Sequence, residues 1–222
     1  VRKENAEISI KTKLVYPEGT SGKLELKTDI LDAKGEVSGS VSSVVNRKLL
    51  VDGCHEDRIW IPDPDFWSPD APHLYSDGEL KDEYTTRFGV RSIEIRPNDG
   101  FYLNGEKTYF KGVCNHHDLG PLGAAVNDAA IRRQLRILKD MGCNAVRTSH
   151  NMPAPELVRA CDEMGLMVMA ESFDEWRTAK VQNGYNLYFD DWVEKDLMNL
   201  LHQFRNNPSV VMWCIGNEVP DQ

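Results

Sequence analysis

From Asn5 to about Arg96, apolar and polar positions alternate with a period of two. In "EISIKTKLVY", Ile8, Ile10, Leu14 and Tyr16 stand against polar neighbours, "GKLELKTDIL" repeats the device, and "TTRFGVRSIEI" closes the run. Successive side chains of a strand point to opposite faces, so this pattern predicts half-buried β-strands. Turn signals separate them: Pro17 to Gly22, "DAKG" and the proline-dense "WIPDPDFWSPDAPHLY". Short strands punctuated in this way predict a β-sandwich of immunoglobulin-like type over 1–97. The span Ser38 to Val51 fits the pattern poorly and yields no assignment.

Beyond Gly100 the rhythm changes. "TYFKGV" is a short apolar run that predicts a strand, and "NDAAIRRQLRILKDMG" follows with Ile131, Leu135, Leu138 and Met141 at helical spacing. Asn127 can cap the start of that helix and Gly142 its end. "NAVRTS" is the next apolar run. "PAPELVRACDEMG" then places Leu157, Cys161 and Met164 on one helix face, with Gly165 after it. "LMVMAES" precedes "DDWVEKDLMNLLHQFRNNP", where Val193, Leu197, Leu200, Leu201 and Phe204 form a stripe and Pro208 a stop; "SVVMWCI" is the last run. Nearly continuous apolar strands alternating with helices predict a parallel sheet covered on its faces.

Such a unit belongs to a doubly wound sheet or to the first half of a (β/α)8 barrel. Polar residues follow each run: Asn115, His116, His117 and Asp118; Arg147, Ser149 and His150; Glu171, Ser172 and Asp174; Asn217 and Glu218. Groups gathered at the C-terminal ends of all the strands favour the barrel, whose sites form on that rim. No glycine-rich phosphate loop follows the first strand, which leaves nucleotide binding unsupported. The predicted architecture is therefore an immunoglobulin-like β-sandwich over 1–97 and the first four βα strands of a TIM barrel over 98–222.

Composition narrows the function classes. With 222 residues, 41% hydrophobic and 27% charged, the chain has the balance of a globular protein, and no apolar run reaches the roughly 20 residues of a membrane helix. A net charge of −9 without a basic cluster argues against a nucleic-acid partner. Cys54, Cys114, Cys143, Cys161 and Cys214 make an odd count with no C-x-x-C pair, so no disulfide framework is expected. The N-terminus shows no signal-peptide pattern, and a cytoplasmic or periplasmic location stays open.

Glu218 is the sharpest chemical candidate. A carboxyl at a barrel mouth, with an apolar wall and a second carboxylate nearby, suits a general acid of raised pKa, although "NE" also fits a solvated strand end. The histidines match no strong metal-ligand spacing, and hydrogen bonding to sugar hydroxyls suits them better. Trp176 and Tyr185 offer sugar-stacking faces, whereas Trp213 fits stacking or core packing alike. Arg147 can hold a neighbouring carboxylate ionised or make a surface ion pair.

"TTRFGVRSIEI", "GFYLNGEKTYFKGVCNHHD", "LKDMGCNAVRTSHNMPAPELVRACDEMGLMVMAES" and "NNPSVVMWCIGNE" together resemble glycoside hydrolase family 2, and within it the bacterial β-galactosidases. The resemblance spans nearly the whole chain and is strongest from Thr85 onward. It implies a retaining, two-carboxylate cleavage of terminal β-galactosides, with Glu218 as the catalytic acid/base and Asn217 bonding the sugar 2-hydroxyl. It further implies Arg147 beside the nucleophile, His116 and His150 lining the subsite of the cleaved sugar, and Asp174 touching a galactose hydroxyl. Glu171 matches a carboxylate that in some members helps to bind Mg²⁺; no cofactor is otherwise required.

The same resemblance implies that the nucleophile, a second Glu near the end of a seventh strand, lies beyond Gln222, and that an N-terminal sugar-binding domain is absent. "LYSDGELKDEYTTRFG" is shorter than the family's hairpin, which suggests missing residues between Tyr75 and Asp82. The chain is thus expected to be an inactive fragment whose whole protein takes an oligosaccharide or β-galactoside. Its exposed sheet edges are expected to drive homo-oligomer formation. A β-glucuronidase or β-mannosidase of the same family, and a non-catalytic carbohydrate-binding or adhesion module, are the alternatives.

Overall fold

A computed structural model describes residues 5–15, 23–46, 48, 50–71 and 86–220. The turn signals at Pro17 to Gly22 and the hairpin around Tyr75 to Asp82 lie outside the described residues. Val1–Phe66 with His73–Val90 form one compact unit, and Trp67–Pro72 with Arg91–Gln222 the other.

The first unit is the sandwich. β1 (Asn5–Lys13) and β4 (Cys54–Pro62) pair antiparallel from Asn5↔Pro62 to Lys13↔Cys54. β2 (Lys23–Leu31) and β3 (Val37–Asn46) form a second antiparallel pair. Their turn is set by Asp32, whose carboxylate accepts from the backbone N–H groups of Lys34 and Glu36. Ala6, Ile30, Ile59, Ile61 and Val90 make the core, with Ile8, Ile10, Val41, Phe66 and Phe88 against it. Removing this apolar surface from water supplies the drive for packing.

β3 occupies the span that the alternation left unassigned. Its less exposed positions are Ser38, Gly39, Val41, Ser43 and Val45, while Val44 is 65% exposed, so polarity does not mark the faces. Two of those inner residues have structural reasons. The Ser43 hydroxyl donates to the buried Asp57 carboxylate at 2.5 Å. A Cβ at Gly39 would stand 2.7 Å from the Ile59 side chain, closer than packed atoms tolerate.

In the second unit, β5 (Ile93–Arg96), β6 (Gly100–Leu103) and β7 (Glu106–Lys107) form a small antiparallel sheet. The predicted sandwich strand ending in Ile93 and Ile95 therefore pairs with Gly100–Leu103 instead, and its isoleucines are exposed. Next come β8 (Gly112–His116), α1 (Asp128–Asp140), β9 (Ala145–Ser149), α2 (Pro155–Met164), β10 (Met167–Glu171), α3 (Phe189–Phe204) and β11 (Val210–Cys214). The strands are parallel and ordered β8, β9, β10, β11, each beside its successor. That sequential order has no reversal point, which distinguishes a barrel arc from a doubly wound sheet.

Helix limits follow the predicted signals. Asn127 caps α1 by accepting from the Ala130 N–H at 3.0 Å, and Gly165 closes α2 in the left-handed conformation. Ile131, Leu135, Leu157, Val158, Cys161, Leu200 and Phe204 bury their side chains against Val146, Val168, Ala170 and Val210. Met141, placed on the same stripe by spacing, is instead exposed at the end of α1. The first strand starts later than "TYFKGV" suggests, because Tyr109 and Phe110 stay outside it and are exposed.

Candidate active site

Alternation along the parallel strands separates two sets of side chains. Val146 of β9, Val168 of β10 and Val210 of β11 pack on the helices; the intervening residues of β9 and β10 form rows on the other face, and a register shift between Val168 and Met169 brings Met212 and Cys214 of β11 into the same rows. Cys114, Arg147, Met169 and Met212 are register neighbours in one row. The next row, toward the C-terminal ends, pairs His116 with Ser149 and Glu171 with Cys214. Period two and a common strand direction thus place these residues at one rim.

Glu171 is the hub of that rim and is fully buried. Its Oε1 accepts from Arg147 Nη2 at 2.7 Å, and its Oε2 faces His150 Nδ1 at 3.0 Å. The Cys214 thiol approaches Oε1 at 3.7 Å. A carboxylate removed from water requires such compensation. Burial pulls the Arg147 guanidinium down, but its bond to the Cys114 sulfur and the Glu171 charge outweigh that and raise its pKa above the ordinary arginine value. His150 meets Glu171 through Nδ1, so its Nε2 takes no part in that contact. The His116 ring lies edge-on to His150, with centroids 5.0 Å apart.

Arg147 connects this hub to the last strand. Its Nη2 also donates to Asn217 Oδ1 at 3.0 Å, and Asn217 Nδ2 donates to Asp174 Oδ1 at 3.0 Å. The amide is thereby held in one orientation, between a cation and a carboxylate. Burial pushes the Asp174 carboxyl up, but the Asn217 amide and the Lys180 ammonium outweigh it and hold its pKa below the ordinary carboxylate range. Lys180 Nζ lies 3.0 Å from Asp174 Oδ1 and also donates to the Asn217 carbonyl.

Arg147, His150, Glu171, Asp174 and Asn217 therefore form one bonded network, and His116 packs onto it. Glu218 follows Asn217 directly but differs from its expected setting: its side chain is exposed, and among the described residues it has no hydrogen-bond or ion-pair partner. Its backbone adopts φ 46°, a left-handed conformation costly for a residue with a Cβ. Asn115 and His117 leave the rim: Asn115 donates to Gln134 on α1, and His117 Nε2 sits 2.9 Å from the Ala124 carbonyl. Trp176 donates to the Ile215 carbonyl at 2.8 Å, which ties the segment after β10 to the end of β11. Trp213 is partly exposed rather than a core side chain.

The surroundings of Glu171 do not suit Mg²⁺ as they stand. A hard cation takes several oxygen ligands, whereas both Glu171 oxygens are occupied, one by a guanidinium. Among the described residues, no group of three or more His, Cys, Asp or Glu side chains could hold a metal ion.

Sequence reasoning did not find Glu175 or Lys180. Glu175 is 2% exposed, accepts from the Lys180 N–H at 2.6 Å and the Asn186 N–H at 2.9 Å, and so closes the loop after β10 on itself. Gly184 belongs to the same closure, since a Cβ there would lie 1.8 Å from Glu175 Oε1. Backbone hydrogen bonds from Asn186 and Lys180 lower the Glu175 pKa from the ordinary 4.5. A depressed folded-state pKa contributes stability that is present above the unfolded value and is lost as pH falls through the folded one. Glu175→Gln is expected to cost about 1–3 kcal/mol at neutral pH, with the difference closing on acidification. Urea titrations of both proteins at pH 7 and pH 3 measure it; a gap of equal size at both values would contradict the assignment.

Comparison with known proteins adds a second line. The family model described as "Glycosyl hydrolases family 2" matches residues 1–91, and that described as "Glycosyl hydrolases family 2, TIM barrel domain" matches residues 93–222. Beta-galactosidase BoGH2A of Bacteroides ovatus is 42% identical over 229 residues, an alignment covering 100% of this chain and 27% of that protein. A beta-glucuronidase of Streptococcus agalactiae is 33% identical over 191 residues, covering 76% of this chain and 31% of that protein. The crystal structure of a glycosyl hydrolase family 2 member from Bacteroides cellulosilyticus superposes with a TM-score of 0.90 at 36% identity, covering 99% of this chain and 29% of that one. The chain thus spans less than a third of the length of each of these proteins.

Proposed function

Because the chain belongs to glycosyl hydrolase family 2, we propose that it carries one half of the catalytic machinery of a retaining β-galactosidase, with Glu218 as acid/base. The observation that carries this reading is the bonded path from Glu171 through Arg147 to Asn217, the residue next to Glu218. In a retaining glycosidase two carboxyls flank the scissile bond about 5 to 5.5 Å apart; one protonates the leaving oxygen while the other attacks the anomeric carbon. Here Glu218 is the proton donor and later the base that activates water. Asn217 lies beside the sugar 2-hydroxyl, and His116 and His150 supply polar edges for ring hydroxyls. In this reading the nucleophile lies outside residues 1–222, and the 222-residue chain alone is inactive.

A neutral sugar suits the described groups better than a uronic acid. Recognition of a carboxylate requires a cation free to pair with it. Arg147 already serves Glu171 and Asn217, and Lys180 serves Asp174 and the Asn217 carbonyl. In the natural protein that carries this chain, kcat/KM for nitrophenyl β-galactoside is expected to exceed that for nitrophenyl β-glucuronide by about 100-fold or more, a margin of the size unpaired buried charge produces. NMR of the first-formed sugar should show the β-anomer. A preference for the glucuronide would replace the substrate assignment, and the α-anomer would replace the mechanism.

A further inference from the structure

The loop after β10 delivers a cation onto the backbone that precedes the acid/base. We propose that Lys180 is a positioning residue which fixes Glu218 by holding the Asn217–Glu218 peptide; the proposal rests on the acid/base reading of Glu218. The carbonyl that accepts from Lys180 Nζ belongs to Asn217, so it lies in the same planar unit as the Glu218 N–H. Fixing that plane restricts ψ of Asn217 and φ of Glu218 together. The restriction matters here because Glu218 holds φ 46°. A residue with a Cβ keeps such a conformation only where its surroundings impose it.

The surroundings that impose it are built in layers. Lys180 Nζ binds both the Asn217 carbonyl and Asp174 Oδ1, while Asp174 Oδ1 also receives the Asn217 side-chain amide. Asn217 is therefore gripped at its backbone by Lys180 and at its side chain by Asp174 and Arg147. Lys180 is in turn fixed by its own N–H, which donates to the buried Glu175 carboxylate, whose other oxygen anchors Asn186. Trp176 adds a bond from the same loop to the Ile215 carbonyl. Glu218 itself has no partner among the described residues, so its placement depends on how firmly its neighbour is held. An ammonium is suited to this role, since a charged donor to a carbonyl makes a stronger bond than a neutral one.

The role separates from general stability by leaving-group dependence. A displaced acid impairs cleavage when the leaving oxygen needs a proton and matters little when it does not. In the natural protein, Lys180→Met is expected to lower kcat/KM for methyl β-galactoside by about 10- to 100-fold. The loss for dinitrophenyl β-galactoside should stay under about threefold, and Lys180→Arg should recover most of the difference. In the 222-residue chain, Lys180→Met should shift and broaden the Glu218 backbone amide resonance, while Lys180→Arg preserves it. Equal losses on both substrates, or an unmoved Glu218 amide, would overturn the proposal. A natural protein that cleaves no β-glycoside would instead remove the acid/base reading, and the amide resonance would still decide whether Lys180 holds the peptide.

Discussion

Glu218→Gln is expected to reduce kcat/KM of the natural protein for methyl β-galactoside by roughly 10²- to 10⁴-fold, the span that general acid catalysis commonly contributes. Glutamine keeps the shape of glutamate but cannot donate a proton to an alkoxide-like leaving oxygen. Dinitrophenolate departs without such help, so kcat/KM for dinitrophenyl β-galactoside should fall far less. In the proposed retaining mechanism deglycosylation needs the same carboxylate as base, so kcat for the aryl substrate should drop while its kcat/KM is spared. The fold should tolerate the change, because Glu218 is exposed and bonds to none of the described residues. Parallel loss of kcat/KM on both substrates would show that Glu218 does not supply the proton.

Arg147→Met should be the most destabilising change at the site, by about 3–5 kcal/mol. It leaves the fully buried Glu171 carboxylate with a histidine and a thiol, and it frees Asn217 Oδ1. Removing one partner of a buried pair strands the other charge, which costs more than the pair itself contributes. Glu171→Gln on the Arg147→Met background should therefore recover stability, because the stranded charge is gone. Urea denaturation of the chain with the single and double substitutions measures this coupling. If the double variant were less stable than Arg147→Met alone, the stranded-charge account would not hold.

Much of this architecture was legible because periodicity reports burial directly. Valines and leucines on the helix-facing side recur at the spacing that packing demands, and Asn127 and Gly165 mark their helix ends by backbone chemistry. β3 escaped notice because its inner face uses Gly39 and Ser43, one for close approach and one to satisfy Asp57. Such positions are polar or small for reasons that lie on another strand, which no local pattern contains.

The site divides along a similar line. Arg147, His150, Glu171, Asp174 and Asn217 could be picked out because polar groups within or just after apolar strands need a reason to be there. That these residues bond to one another is a matter of register, with Cys114 beside Arg147 and Glu171 beside Cys214. Lys180 and Glu175 lie in a loop where polar residues are ordinary, so composition gave them no contrast. Their part emerges from where the loop returns, which is decided by the Asn186 N–H, the Gly184 approach and the Ile215 carbonyl.

The alternation along β9 and β10 has an evolutionary corollary. Because odd and even residues of β9 and β10 answer to different neighbours, a change at Met169 leaves Val146 and Val168 in place on the helix-facing side. Saturation mutagenesis of Val146 and Val168 is expected to lower thermal tolerance by breaking the helix-facing packing, while Met169, outside that cluster, should accept substitution with less loss. A scaffold wired this way can vary on one face while its hydrophobic seam stays still.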